Sequence, residues 1–254
     1  EAICEDIAGA DSHSPAGHVF FNPPFYDDET ALKPPVAGKR AAFFSGDAPL
    51  EAALADLIRD RDIYLLSDEV YEHLIFDGRE HASVLRHDEL YQRAFVVSSF
   101  GKTYHVTGWK TGYVVAPTAL SSELRKVHQY VSFAGVTPLQ WALADFMAAH
   151  PEHVAELPAF YQAKRDLFCD LLAGSRFSFT RASGTYFQLA DYSAIRPDLG
   201  DVAMAEWLTR EHGVANIPIS VFYQTPPAES RLVRFCFAKR EETLRQAAER
   251  LCAI

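Results

Sequence analysis

Ser98-Ser99-Phe100-Gly101-Lys102, with Thr107-Gly108-Trp109-Lys110-Thr111-Gly112-Tyr113 just beyond it, is the stretch that decides how this chain folds. An apolar strand, Ala94–Ser98, runs into a turn of small residues that presents Lys102. A second cation, Lys110, precedes another strand-like run, Tyr113–Pro117. Upstream, Ile63–Ser67 reads as a buried strand that ends in Asp68-Glu69-Val70-Tyr71. A lone loop lysine is ordinarily solvated surface. Here an Asp, a Tyr, a Ser and two Lys gather at or just past the C-terminal ends of strands expected to be parallel, where open α/β sheets bind ligands.

The flanking pattern sets the organisation. Leu50–Arg59 reads as an amphipathic helix, and Ser121–Val131 and Pro138–Ala149 as further helices. Pro151 opens a long helical stretch to about Leu172, as proline favours the first helical turn. Beyond it, Phe177–Thr180 and Thr185–Leu189 alternate as half-buried strands. Val202–Glu211 reads as a helix stopped by Gly213, Val214–Ile219 and Leu232–Ala238 as strands, and Glu241–Cys252 as a terminal helix. This predicts a large α/β domain over 1–150, a connecting helix over 151–174 and a small α+β domain over 175–254.

With Ser67-Asp68-Glu69-Val70-Tyr71, Ser98-Ser99-Phe100-Gly101-Lys102 and Gly108-Trp109-Lys110 in this order and spacing, the chain resembles the class I, fold-type I aminotransferases that depend on pyridoxal 5'-phosphate. Within them it most resembles the methionine and kynurenine (glutamine transaminase K-like) branch. The resemblance runs from about Leu50 to the C-terminus. It implies an α/β fold with a mainly parallel sheet flanked by helices and a smaller C-terminal α+β domain. It implies amino-acid and 2-oxo-acid substrates. It also implies a homodimer whose active sites borrow residues from both chains.

Residue by residue, the resemblance implies that Lys102 condenses with the cofactor aldehyde and later shuttles the substrate proton. Both tasks need an unprotonated amine near neutral pH, which burial and neighbouring cations favour. Asp68 is the implied partner of the cofactor ring nitrogen; a turn cap after a strand is its plainer reading. Tyr71 would hydrogen-bond the cofactor's phenolic oxygen, or be a half-buried aromatic. Ser99 and Lys110 match the family's phosphate-holding serine and basic residue. Lysine there offers a point charge where many relatives have the arginine fork. Ser98 is a weaker phosphate candidate that also reads as facing the core.

Arg234 matches the family's substrate-carboxylate arginine. A charge inside the apolar strand Leu232–Ala238 is costly unless paired, and either a substrate carboxylate or an internal Asp or Glu would pair it. Arg231 has the wrong strand position and reads as surface. Phe25, in Phe21-Asn-Pro-Pro-Phe-Tyr-Asp-Asp28, is similar to the family segment that stacks a ring on the cofactor, with core packing as the alternative. Trp141, Tyr186 and Phe222 would shape an apolar substrate pocket or belong to the core. His105 reads as surface, and nothing in the histidine spacing suggests a metal.

The formal net charge of −10 argues against nucleic acid or an anionic membrane as a partner, and no apolar run approaches a membrane span. Glu1-Ala-Ile-Cys-Glu-Asp is too acidic for a secretory signal. The four cysteines lack metal or redox-pair spacing, and Cys236 and Cys252 read as reduced core residues of a cytoplasmic protein. Two family elements are absent: the small-residue phosphate loop, expected near Asp11–Pro15, and an Asn-Pro motif of which Ser45-Gly46 would be the tail. Either the sequence closes over segments that the whole protein has, the favoured account, or the protein is truly shortened. The reading is therefore transamination of a methionine-, aromatic-, glutamine- or kynurenine-type amino acid. A carbon–sulfur β-lyase using the same lysine and a non-catalytic descendant of the family are its rivals.

Overall fold

Strand β2 (Ile63–Asp68) lies at the middle of the sheet that carries the quoted motifs, with β1 (Gly17–Phe21) on one side and β3 (Ala94–Ser99) on the other, both parallel to it. Strand β4 (Gly112–Val115) pairs with β3 antiparallel and closes the order β1-β2-β3-β4. The sheet is thus mainly parallel. β4 runs the other way because its connection from β3 contains no crossover helix, and a parallel return requires one. The computed structural model describes residues 17–21, 48–223 and 225–254. Phe25, with the ring stacking expected of it, lies outside the described residues, as do Cys4, Asp11–Pro15 and Ser45-Gly46.

Helix α1 (Ala48–Ile58) covers one face of this sheet. Leu54, Ala55 and Ile58 share a helical face and pack with Leu65, Val84, Leu90, Ala94 and Val96. The alternation of β3 buries Ala94, Val96 and Ser98 on that side and turns Phe95, Val97 and Ser99 to the other. Since Asp68 pairs with Val97, Asp68 and Ser99 belong to the second face. Short α2 (Asp88–Tyr91) leads into β3, and α3 (Phe100–Thr103) is the single turn after it. Helices α4 (Thr118–Val131) and α5 (Thr137–Ala149) follow β4, then α6 (His153–Leu172). Two compact units divide inside α6, between Leu157 and Pro158, a residue that cannot donate the helical hydrogen bond.

In the second unit, β5 (Phe187–Asp191), β7 (Leu232–Cys236) and β6 (Ile217–Pro218) form an antiparallel sheet in that spatial order. Helix α7 (Asp201–His212) ends at Gly213, whose left-handed φ of 63° suits glycine and whose N–H reaches the Leu208 carbonyl. Helix α8 (Glu241–Cys252) buries Leu244, Ala248 and Leu251, and Phe235 meets Phe168 and Phe177 edge-on in the core.

Two expected strands are shorter than their alternation suggests. Phe177–Thr180 contributes one isolated bridge, Ser178 to Asp191. The buried Gln188 amide takes the place of a ladder by donating to the Thr180 carbonyl (2.7 Å) and accepting the Ala182 N–H (3.0 Å). Val214–Ile219 contracts to Ile217–Pro218, with Asn216 turned back to the Val214 carbonyl and Pro218 lacking an N–H. Cys252 is exposed, not core: it follows Leu251 and so falls off the apolar stripe of α8, where its thiol meets the Leu171 carbonyl.

Burial pushes the Tyr161 and Tyr192 phenols up to about 12, from an ordinary value of about 10. The folded state therefore holds these protons more tightly than the unfolded one. Their contribution to stability is complete below about pH 10 and is lost as the pH rises toward 12. Urea melts are expected to show a midpoint that falls across that interval, with a flatter decline in Y192F.

Candidate active site

Lys102 stands on α3, which needs outside support because one turn gains little by itself. Ser99 caps it, its Oγ accepting the Gly101 N–H at 3.1 Å. At the other end, His153 Nε2 donates to the Thr103 carbonyl (2.8 Å) while the His153 ring stacks on Tyr104 at 5.2 Å. Gly101 permits the turn to fold back, because a Cβ there would lie 2.8 Å from Thr107 Cα. Thr107 Oγ1 then donates to the Gly101 carbonyl at 3.0 Å.

The return to the sheet is equally tight. Lys110 adopts the left-handed conformation (φ 53°) at the end of the Thr107–Trp109 turn and is exposed. Gly112 then enters β4 so close to β3 that an added Cβ would lie 2.5 Å from the Ser98 carbonyl oxygen. Backbone atoms cannot yield as a flexible side chain does. Gly112→Ala is therefore expected to destabilise the protein by about 1–3 kcal/mol, read as a lowered melting temperature.

Asp68 closes β2 beside this turn, its Oδ1 accepting the Val70 N–H at 3.3 Å. Burial raises its carboxyl above the ordinary carboxylate range; the Val70 N–H and the charge of Lys102 oppose that rise, and Glu69 adds to it. Tyr71 is buried rather than half-buried. Ser98 faces the core and donates to Glu72 Oε1 at 2.6 Å, so its hydroxyl is committed to that carboxylate. Ser99 keeps its hydroxyl proton for another acceptor, since its cap uses only a lone pair.

Two carboxylates in this loop carry structure that sequence reasoning did not assign. Glu69 is buried and accepts Ser67 Oγ (2.9 Å), the Val84 N–H (3.2 Å) and His81 Nε2 (2.8 Å). Glu72 accepts Ser98 Oγ and the Tyr113 hydroxyl. Glu69 lies between Asp68 and Tyr71 and Glu72 follows them, yet no local pattern tells an anchoring glutamate from a solvated one.

In the second unit, Arg234 is half-buried at the centre of β7 between two aromatic rings, with Cζ 4.1 Å from the centroid of Phe187 and 4.8 Å from that of Phe222. Its buried Nε has no hydrogen-bond partner among the described residues. Phe222 ends a turn held by Asp201, which accepts the Ser220 N–H (2.5 Å) and hydroxyl (2.7 Å). Phe187 was not singled out from sequence; its place in the alternation beside a strand arginine was the available signal. Arg231 is a loop clamp and not a plain surface residue, donating to the carbonyls of Pro197, Ala228 and Ser230. Tyr186 packs on Tyr161 and Phe187, while Trp141 on α5 is exposed.

The donor set fits the pyridoxal phosphate that the resemblance implies. A partly desolvated carboxylate under the influence of one lysine is suited to a protonated ring nitrogen. Ser99 O–H and the exposed Lys110 are of the right chemistry for a phosphate.

Comparison with known proteins follows the same line. The profile of a family described as aminotransferase class I and II matches residues 45–251. Methionine aminotransferase of Escherichia coli (strain K12) is 55% identical, over 79% of this chain and 51% of its own length. Kynurenine–oxoglutarate transaminase 3 of Rattus norvegicus is 36% identical, over 77% of this chain and 47% of its own. Among solved structures, an Escherichia coli protein with an identified methionine aminotransferase function superposes with a TM-score of 0.82 at 48% identity, covering 94% of this chain and 58% of that one. N-succinyldiaminopimelate aminotransferase of Mycobacterium tuberculosis superposes with a TM-score of 0.78 at 31% identity, covering 93% and 58%. The chain spans about half the length of the curated relatives it matches.

Proposed function

The chain belongs to the class I and II aminotransferase family, and from that premise we propose that it carries out transamination between an L-amino acid and a 2-oxo acid with pyridoxal phosphate. The observation that carries this reading is the placement of Asp68 and Lys102 at the ends of neighbouring parallel strands, near enough for the lysine charge to act on the carboxylate. Methionine, aromatic amino acids, glutamine and kynurenine are the proposed donors, in keeping with the methionine and kynurenine enzymes among its relatives.

Pyridoxal phosphate, when bound, supplies the electron-withdrawing ring that stabilises negative charge on the substrate α-carbon. Lys102 would hold the cofactor through Nζ, and its free amine would serve as the base for the substrate α-proton. Asp68 would keep the ring nitrogen protonated, and Tyr71 would donate to the phenolic oxygen. Ser99 O–H and the Lys110 ammonium hold the phosphate. Arg234 receives the substrate α-carboxylate, a planar anion matched to its guanidinium. The same reading makes residues 175–254 the small domain and places the protein in the cytoplasm, where free Cys169 and Cys236 suit a reducing environment.

We also propose a homodimer. Val127, Tyr130, Val131, Phe133, Val136 and Trp141, on and between α4 and α5, are each 57% to 86% exposed. Six large exposed apolar side chains so close together in the chain suit an interaction site. Sedimentation is expected to give twice the chain mass for the protein and the single mass for Y130E/F133E; a monomeric unmodified protein contradicts the proposal.

The activity test begins with pyridoxal phosphate added to the protein. A visible absorption band that borohydride fixes as cofactor mass on Lys102 is expected, followed by conversion of methionine and a 2-oxo acid to the exchanged pair. Absence of the band overturns the reading. Release of pyruvate and ammonia from a cysteine conjugate, without amino exchange, would identify a β-lyase instead.

A further inference from the structure

The β2–β3 ladder ends where the Glu69 N–H meets the Val97 carbonyl at 2.8 Å. There β2 ends at Asp68, with Tyr71 in the loop just beyond, and β3 ends at Ser99, with Lys102 and Lys110 beyond it. Glu72 ties these loops together. Its Oε1 accepts Ser98 Oγ at 2.6 Å and the Tyr113 hydroxyl, and Ser98 and Tyr113 face each other across the β3–β4 ladder. One carboxylate oxygen therefore grips both strands of the hairpin that presents the two lysines. His73 Nε2, 3.7 Å from the same oxygen, is its third polar neighbour.

The grip has an electrostatic signature. The Tyr113 phenol is pushed up to about 12, by burial first and then by its bond to Glu72. Tyr104, next to the Lys102 turn, is raised as well, by burial first and then by the charge of Glu72. Nothing in the reaction described above uses this carboxylate. Resting on the cofactor reading of Asp68 and Lys102, we propose that Glu72 is a positioning residue, which sets the separation of the Asp68 and Lys102 loops and thereby the fit of the cofactor between them. Cofactor attachment needs the lysine and the ring-nitrogen partner aligned at once, so small displacements are magnified.

The test compares E72A, E72Q and Y113F with the unmodified protein. Without cofactor, alkaline ultraviolet titration is expected to show one phenol moving down from about 12 in E72A, by the part of the rise that Glu72 rather than burial supplies. With pyridoxal phosphate, E72A is expected to bind about 10- to 100-fold more weakly, as for loss of a charged hydrogen-bond acceptor, and to shift the pH midpoint of the visible band. E72Q keeps an acceptor oxygen and is expected within about threefold of the unmodified protein; a loss equal to that of E72A overturns positioning in favour of charge alone. Unchanged affinity and midpoint in a folded E72A overturn the role of Glu72 while leaving the cofactor reading intact. No band in the unmodified protein overturns both. Where E72A does not fold, Y113F decides: it removes one donor from a partly exposed ring, a weakened band supports the proposal, and an unaltered one overturns it.

Discussion

Lys102→Ala is expected to lower turnover by a factor on the order of 10⁴, the upper range for a positioned acid–base group, and to abolish the borohydride-fixed cofactor mass. The fold should survive the change. The α3 turn is held by the Ser99 cap, the Thr107 bond to Gly101 and the His153 bond to Thr103, none of which uses the lysine side chain. K102R separates the two roles of the residue, since a guanidinium supplies the charge but cannot deprotonate to attack or to accept a proton. Kinetics together with mass spectrometry of the reduced protein check the result. If K102R retains turnover, Lys102 is a charge and nothing more.

Arg234→Leu is expected to lower kcat/KM by about 10²- to 10³-fold, mostly through KM, as for truncating one partner of a buried charge pair. R234K should recover part of this by keeping the charge without the fork. The melting temperature carries the discrimination. Among the described residues the guanidinium is clasped by Phe187 and Phe222 and its Nε has no partner, so its removal strands no buried carboxylate there. The two cation–π contacts are what is lost there, about 0.5–1 kcal/mol each. A large fall in melting temperature with unchanged KM would return Arg234 to the structural ion pair weighed from sequence.

Local periodicity carried much of this protein. The alternation of Ala94–Ser99 separates Ser98 from Ser99 by face, and Gly213 stops α7 as its composition indicates. The small-residue turn that presents Lys102 was legible too, and the structure shows why it is small: close backbone approach excludes a Cβ at Gly101 and Gly112. The motif resemblance led to the aminotransferase family itself.

Tertiary closure decided the rest. Whether Glu69 and Glu72 face water or anchor loops depends on Val84 and His81 in one case, and on Ser98 and Tyr113, 26 and 41 residues away, in the other. The direction of β4, the clasp of Phe187 and Phe222 on Arg234, and the replacement of a strand at Phe177–Thr180 by the Gln188 amide are of the same kind. Periodicity and spacing are short-range quantities, and they determined elements and faces; the residues proposed to react come from the motif resemblance. A hydrogen bond between distant residues is made only once the chain has closed, and burial then makes leaving it unmade costly.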